Sequence, residues 1–474
     1  MIVQGAFMER EIKDPHQKAL ALNLDKKIYG TVAEIGAGQE TARWFFRVGG
    51  AAGTIAKAMS AYSMKFSDAI YGPCKRYVSR DRLRSMLDLE YRLLIERLND
   101  SIGSESTFFV FANTVAARSF TYKTDGHGWL GIHFQRLPNE EPSRIDIHVS
   151  LHGKQHVQDQ ETLGILGVNL IYGAMNLHEN PEELVRSLLD QLYSELVEID
   201  MIEFTGPAFE QVDNRLMALR LVQYGLSNAA MFTADGHVAQ ISDELYGKAV
   251  LLERSRFRPP TNFTVNLLEC AQKAFIDESG ISTDELIELS EMTLANLSEK
   301  NHDIDVQDFL YRADILCSLG KSVLISNFGE YYRLAQFLFR YTRKPIAFTV
   351  GLPSIKEIFD EKYYADLPGG ILESFGRMFK HDLKLYVSPM IDPISGEKTG
   401  VHDLCVDSHL RHLYAHLLEN KCVRDLDTVN EEYLSIFSHE VLRNIKKGYA
   451  EWESMVPEPV ARMIKEHRLF DWHE

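Results

Sequence analysis

The chain of 474 residues carries 51 Lys and Arg against 68 Asp and Glu, a formal net charge of −17, and is 45% hydrophobic and 25% charged. This composition excludes a disordered, collagen-like or membrane-bundle chain, and at about 150 residues per domain the length allows two to four domains, each with its own core. So strong a negative charge repels a phosphate backbone; with no basic stripe to overcome it, neither nucleic acid nor membrane is an expected partner.

Cys74, Cys270, Cys317, Cys405 and Cys422 are odd in number, dispersed and never paired as Cys-x-x-Cys, which fits the reduced thiols of a cytoplasmic protein. The start, MIVQGAF, reaches charged residues too soon for a signal peptide. The most apolar run, GILGVNLIYGAM from Gly164 to Met175, falls far short of the roughly 20 residues that span a bilayer.

To about residue 100 the chain reads mainly as helix, ending in the Leu-rich periodicity of Asp81 to Leu98. Two glycine-rich stretches interrupt it. Val32 to Ile35 reads as a strand, and Gly36-Ala37-Gly38-Gln39-Glu40-Thr41 then resembles the start of a dinucleotide or adenosyl-methionine loop, with Thr41 in place of the third glycine; a flexible helix cap is the other reading. Gly49, Gly50 and Gly53 open an Ala-rich run that reads as helix to Tyr62. With Thr54 and Lys57 within a turn, and Arg43 and Arg47 at i, i+4 on the preceding helix, this stretch is the favoured grip on a phosphate or carboxylate. Close helix packing selects the same small residues.

TFFVFA (107–112), WLGIHFQ (129–135) and RIDIHVSL (144–151) alternate as half-buried antiparallel strands do. A helix over 181–197, a strand over 198–204, a helix from Asp213 to Tyr224 and a strand over 229–233 follow. Asp235-Gly236 reads as a hairpin turn. A nucleophilic aspartate there lacks its usual partner, since Thr233 stands in that place. Residues 260 to 320 read as acidic helix, an insertion or linking layer. Lys321, in a Leu-Gly-Lys-Ser run, follows a helix and precedes a strand, which is no P-loop.

Between 322 and 392, SVLISNF, KPIAFTVG and LKLYVSPM are separated by helical segments, the pattern of parallel strands with crossover helices. Asn327 with Glu330 and Ser354 with Glu357 have capping-box spacing, and the strand ends at Ser326-Asn327, Gly351 to Ser354 and Ser388-Pro389 lie where such sheets take ligands. Plain turns are the alternative. In the tail, His409, His412 and His416 repeat at i, i+3, i+7 on one helical face, able to hold a transition metal with Asp403 or Asp407, or else to border the stripe of Leu410, Leu413 and Leu417.

AEIGAGQETARWFFRVGGAAGTIAKAMSAYSM, SDAIYGPCKRYVSR, LGILGVNLIYGA and LISNFGEYYRLAQFL resemble, over most of the chain, a family of poorly characterised bacterial proteins sometimes labelled nicotinate-nucleotide adenylyltransferase. The resemblance implies transfer of AMP from ATP to nicotinate mononucleotide, with Mg²⁺ implied by the reaction class. Thr124-Asp125-Gly126-His127 has the letters of that activity's His/Thr-x-Gly-His loop, making Thr124 and His127 the transfer-site candidates; the tetrapeptide reads equally as a hairpin turn before a strand. Ile281-Ser282-Thr283 keeps part of a second signature without its Arg.

The expectation is a mixed α/β fold, with antiparallel strands in the N-terminal half and a parallel, helix-flanked sheet in the C-terminal half, in regions 1–155, 156–260 and 261–474. The function expected is a cytosolic enzyme or binder of a small phosphorylated metabolite, such as a nicotinate or adenine nucleotide. A non-catalytic scaffold or regulatory protein and a metal-dependent hydrolase are the alternatives. The sequence leaves a homo-oligomer open.

Overall fold

The computed structural model describes residues 11–118, 125–298, 304–391 and 396–473. The chain divides into two compact units, one ending at Asn228 and the next beginning at Ala229. The boundaries read from sequence, after 155 and after 260, fall inside these units, at loops that lead into long helices. Among the described residues no helix is long and apolar enough to cross a membrane.

In the first unit β1 (Ile28–Gly36), β2 (Ile55–Ser60), β3 (Thr107–Ala116), β4 (Gly126–Phe134), β5 (Ser143–Leu151) and β6 (Val197–Thr205) form one sheet in the order β2-β1-β3-β4-β5-β6. β1 runs parallel to β2 and β3, and β3 to β6 are an antiparallel meander. The helices are α1 (Pro15–Leu24), α2 (Thr41–Arg47), α3 (Met64–Tyr71), α4 (Arg80–Ile102), α5 (His156–Asn176), α6 (Pro181–Ser187) and α7 (Asn214–Gln223).

Alternate residues of the strands, including Val32, Phe111, Ile132, Ile147 and Ile199, bury against Leu22, Phe45, Leu166, Leu170 and Leu221 of the helices. α4 covers part of the other face, and Gly131 lets it come close, since a Cβ there would stand 3.0 Å from Leu83 and 3.1 Å from Leu87. β5 therefore sends Ile145, Ile147 and Val149 into the core and Asp146, His148 and Ser150 to the opposite side. The antiparallel expectation for 107–151 and the strand over 198–204 match β3 to β6. The helix expected over 181–197 stops at Ser187, and the helical run expected over 49–62 is instead β2. Ala and Lys favour a helix locally, but pairing with β1 gives these backbone groups their partners and overrides that weak preference.

The second unit holds β7 (Ala229–Phe232), β8 (Val238–Ala239), β9 (Ala249–Arg254), β10 (Leu286–Thr293), β11 (Ser322–Ser326), β12 (Ile346–Gly351), β13 (Leu383–Ser388), the small ribbon β14 (Met390–Ile391) with β15 (Lys398–Thr399), and β16 (Val423–Asp425). Its helices are α8 (Ile241–Leu245), α9 (Asn262–Ser279), α10 (Leu294–Leu297), α11 (Val306–Ser318), α12 (Tyr331–Leu338), α13 (Leu352–Ile358), α14 (Gly370–Met378), α15 (Arg411–Glu419), α16 (Ser438–Lys447) and α17 (Glu458–His467).

The eight-stranded sheet has the order β16-β13-β12-β9-β10-β11-β7-β8. Its six parallel strands read, from β11 across to β16, as third, second, first, fourth, fifth and sixth in the chain. That is the doubly wound order, whose direction reverses between β9 and β12. β7 and β8 are an antiparallel hairpin, as the Asp235-Gly236 signal predicts: Gly236 has φ +79° and the Thr233 amide donates to His237 O at 2.9 Å. Residues 260–320 are not the expected helical layer, because β10 runs through the middle of the sheet between α9 and α11. Neither expected capping box forms. α12 is capped at Glu330, with Asn327 in the loop before it, and α13 starts already at Leu352 because Pro353 suits the first turn.

Candidate functional site

On the face of the first unit's sheet away from the main core, four side chains form a connected run. Ser150 Oγ donates to Asp200 Oδ2 at 2.9 Å, and His148 Nδ1 donates to Asp200 Oδ1 at 2.6 Å. His148 Nε2 then faces His127 Nδ1 at 3.2 Å. His148 and Asp200 are almost fully buried, whereas His127 and Ser150 are partly exposed. The run thus leads from the interior to the surface.

The strands explain how these groups meet. His127 and Ser150 are cross-strand partners on β4 and β5, as are Trp129 and His148. On β6 the register slips: His148 pairs with Met201 and Val149 with Ile199, which leaves Asp200 as the extra residue of a bulge. A bulge re-aims a side chain, and this one turns a carboxylate toward His148. Trp129 packs edge-on against His148 with centroids 5.0 Å apart, and the Arg80 guanidinium lies 5.8 Å from the Trp129 ring centre.

A carboxylate only accepts, so His148 presents an Nδ1 proton to Asp200; with both rings neutral, His148 Nε2 then accepts from His127 Nδ1, and Nε2 is the basic nitrogen of His127. A proton taken at that nitrogen leaves a positive charge that can pass inward to the imidazole beside Asp200. The arrangement is that of a base oriented by a second group and a carboxylate. His133, further along β4, is different: burial pushes its pKa down to about 4, keeping it neutral.

Of the predicted transfer pair, His127 is central to this run, and Thr124 lies outside the described residues. His148, Asp200 and Ser150 were missed by sequence reasoning, although Asp146, His148 and Ser150 at alternate positions of one strand were a visible polar face.

The predicted anion grip is built otherwise than expected. No helix starts at Gly49: Gly49 and Gly50, with φ +79° and +76°, lead into one short turn. The Gly53 and Thr54 amides donate to Gly50 O and Ala51 O, each at 3.0 Å, and Thr54 is fully buried with its hydroxyl on Leu22 O at 3.3 Å. Lys57 is ion-paired to Glu90, and Arg43 to Glu40 at 3.1 Å, while Arg47 lies over Trp44 at 5.1 Å. These amides and cations are already engaged within the protein.

The loop from Gly36 to Glu40 does join a strand to a helix, as expected, but Glu34 answers the amides of α2. Its Oε1 accepts from Thr41 N at 2.9 Å and from Asn113 Nδ2 at 3.2 Å. Burial holds this carboxyl above the usual carboxylate range, against those hydrogen bonds.

In the second unit, Ser326 is buried and donates to Glu291 Oε1 at 2.5 Å, while Asn327 is exposed. Arg254 makes a fork to Glu291 at 2.8 and 3.0 Å, reaches Gly329 O at 2.7 Å and lies 4.5 Å from the Tyr331 ring centre. These contacts tie together the carboxyl ends of β9, β10 and β11. Beside them is a cleft of about 120 Å³ lined by Glu330, Tyr331, Glu357, Tyr363 and Tyr364. The segment from β9 into α9, Ser255 to Pro260, has no glycine, and Thr261 and Thr264 close a capping box over the first turn of α9. The glycine approach used for a pyrophosphate is therefore missing at the position where this strand order would place it.

The histidine face does not form either. α15 starts at Arg411, so His409 precedes it and pairs with Glu361 at 2.7 Å, while His416 contacts Asn420 at 3.2 Å. Among the described residues no group of three or more His, Cys, Asp or Glu is placed to hold a metal ion, and His409, His412 and His416 form no such group. A larger cleft of about 680 Å³, lined by Lys26, Lys27, Phe134, Arg136 and His178 among others, lies at the opposite end of β4 from His127.

No family model matches the chain, and no curated protein matches it. Among solved structures it is similar to the competence/damage inducible protein CihA from Agrobacterium tumefaciens, at 15% identity and a TM-score of 0.23, over 33% of this chain and 90% of that one. It is also similar to the competence-damaged protein (CinA) superfamily protein ECK1530/EC0983 from Escherichia coli, at 16% identity and a TM-score of 0.23, over 34% of this chain and 87% of that one. A competence or damage-inducible protein from Enterobacter asburiae gives 12% identity and 0.25 over 34% and 98%. Nothing in these likenesses supports the adenylyltransferase label.

Proposed function

We propose that the N-terminal unit is an enzyme that performs acid–base chemistry on a small phosphorylated metabolite, with His127 as the group that exchanges the proton. The observation behind this reading is the hydrogen-bonded run from Ser150 through Asp200 and His148 to His127. In the step envisaged, His127 Nε2 takes a proton from the reacting group, His148 shares the resulting charge, and Asp200 holds both rings in orientation and stabilises the cation; the proton returns to the leaving group. A nicotinate or adenine nucleotide is the metabolite proposed, with adenylyl transfer as the finer version.

Thermal melts of the full chain with ATP, NAD and nicotinate mononucleotide test the binding half: a ligand at 100 times its Kd adds about 2.7 kcal/mol, and a scaffold shows no shift. Phosphorus NMR of the same mixtures tests the chemistry. His127→Gln is expected to slow any conversion by about a hundredfold or more, and pyrophosphate appearing from ATP with nicotinate mononucleotide identifies adenylyl transfer. Absence of any ligand shift, or unaltered conversion in His127→Gln, defeats the proposal.

A further inference from the structure

Next to the proton relay, three guanidinium groups share two carboxylates. Arg80 Nε and Arg84 Nε both donate to Asp146 Oδ2 at 3.2 Å, and Arg144 lies 3.3 Å from Asp146 Oδ1. Glu203 accepts from Arg84 Nη2 at 3.1 Å and is also ion-paired to Arg80. Asp146 is two residues from His148 on the same face of β5, and Glu203 is its cross-strand partner on β6.

Within this ion-paired cluster the positive charges exceed the negative by one. Arg84 and Arg144 are enough to keep Asp146 and Glu203 from being left as uncompensated anions. Arg80 is the member linked to the relay by contact: it lies over Trp129, whose ring packs edge-on against His148. It is also the first residue of α4, where the end of the helix dipole adds positive potential.

We propose that Arg80 is the anion anchor of the relay, turning from the carboxylates to grip a phosphate of the substrate while His127 works at the far end. The proposal rests on the reading of the relay as a reaction site, and it assigns the substrate's phosphate to the Arg80 side of that site.

Calorimetric titration of the full chain with inorganic phosphate and with AMP tests this. Arg80→Met is expected to weaken AMP binding by about tenfold or more, since a charge-assisted pair is lost, Arg80→Lys to recover part of it, and Arg84→Met to change it by less than about threefold. AMP binding unaltered in Arg80→Met, equal losses in Arg80→Met and Arg84→Met, or no binding of either probe to the wild type at millimolar concentration would each overturn the anchor. His127→Gln should retain AMP binding; its effect on conversion decides the relay separately, so the two readings can fail independently.

Discussion

Glu253 lies on β9, is 6% exposed, and its Oε2 has no hydrogen-bond partner. Its register partners are Ser290 on β10, itself with an unpartnered hydroxyl, and Thr349 on β12. Burial pushes its pKa from 4.5 up to about 8, with Lys321 pulling the other way. Between these two values the folded chain holds a proton that the unfolded chain has released, so stability is fully present below pH 4.5 and declines as pH rises through 8. At 1.36 kcal/mol per pH unit the gap amounts to about 5 kcal/mol. Glu253→Gln keeps the shape and removes the ionisation. It is therefore expected to match wild type near pH 4.5 and to exceed it by several kcal/mol at pH 8 and above. Urea denaturation followed by far-UV circular dichroism, run on both proteins from pH 4.5 to 8.5, reads this difference directly, because every other titrating group is common to both. If the two stabilities run parallel across that range, Glu253 is not a buried neutral acid and the reasoning from burial fails.

Gly36→Ala and Gly49→Ala make a matched pair at the same φ of +79°, but a Cβ at Gly36 would meet Val115 O at 2.1 Å while Gly49 has nothing within 4 Å. Thermal unfolding should show a loss of about 1 kcal/mol for Gly49→Ala and about 3 kcal/mol or more for Gly36→Ala. His133, held down to about 4 by burial, works in the opposite sense to Glu253. The unfolded imidazole binds a proton below 6.5 while the folded one does not, so about 3 kcal/mol is lost as pH falls from 6.5 to 4, and His133→Phe should flatten that slope in acid-side urea titrations. Lys18 bonds buried Asp190 at 2.7 Å and Asn169 at 2.8 Å; Lys18→Met should destabilise by about 3–5 kcal/mol, and adding Asp190→Leu should recover part of it in a double-mutant cycle.

What the sequence reveals here follows the strength of its periodicity. β4 and β5 are legible because one face of each is apolar core while the other, though also largely buried, carries His, Asp and Ser side chains, and β11 to β13 are continuous apolar runs because both faces meet apolar neighbours. β10 is hidden because LIELSEMT carries two glutamates, and the fork from Arg254 that makes Glu291 tolerable inside comes from another strand. β2 is hidden because Ala and Lys speak for a helix while its pairing partner is distant in sequence. Of the site, His127 stood out through a motif whose letters it shares, but its partners come from β5 and from a bulge on β6 that no local pattern announces. The glycines at 49, 50 and 53 looked like a ligand grip because small residues serve both open loops and tight turns; only the hydrogen bonds of the neighbouring amides distinguish these.

Both borders of the eight-stranded sheet are very short: β8 has two residues and β16 three. A long open margin offers a row of unbonded amides and carbonyls on which another molecule can extend the sheet, and brevity at the margin denies it that template. The parallel interior, rich in Val, Ile and Leu, is the stretch most prone to self-association if uncovered. The hairpin beside β11 and the stub beside β13 therefore leave little open margin on which another chain could extend this sheet.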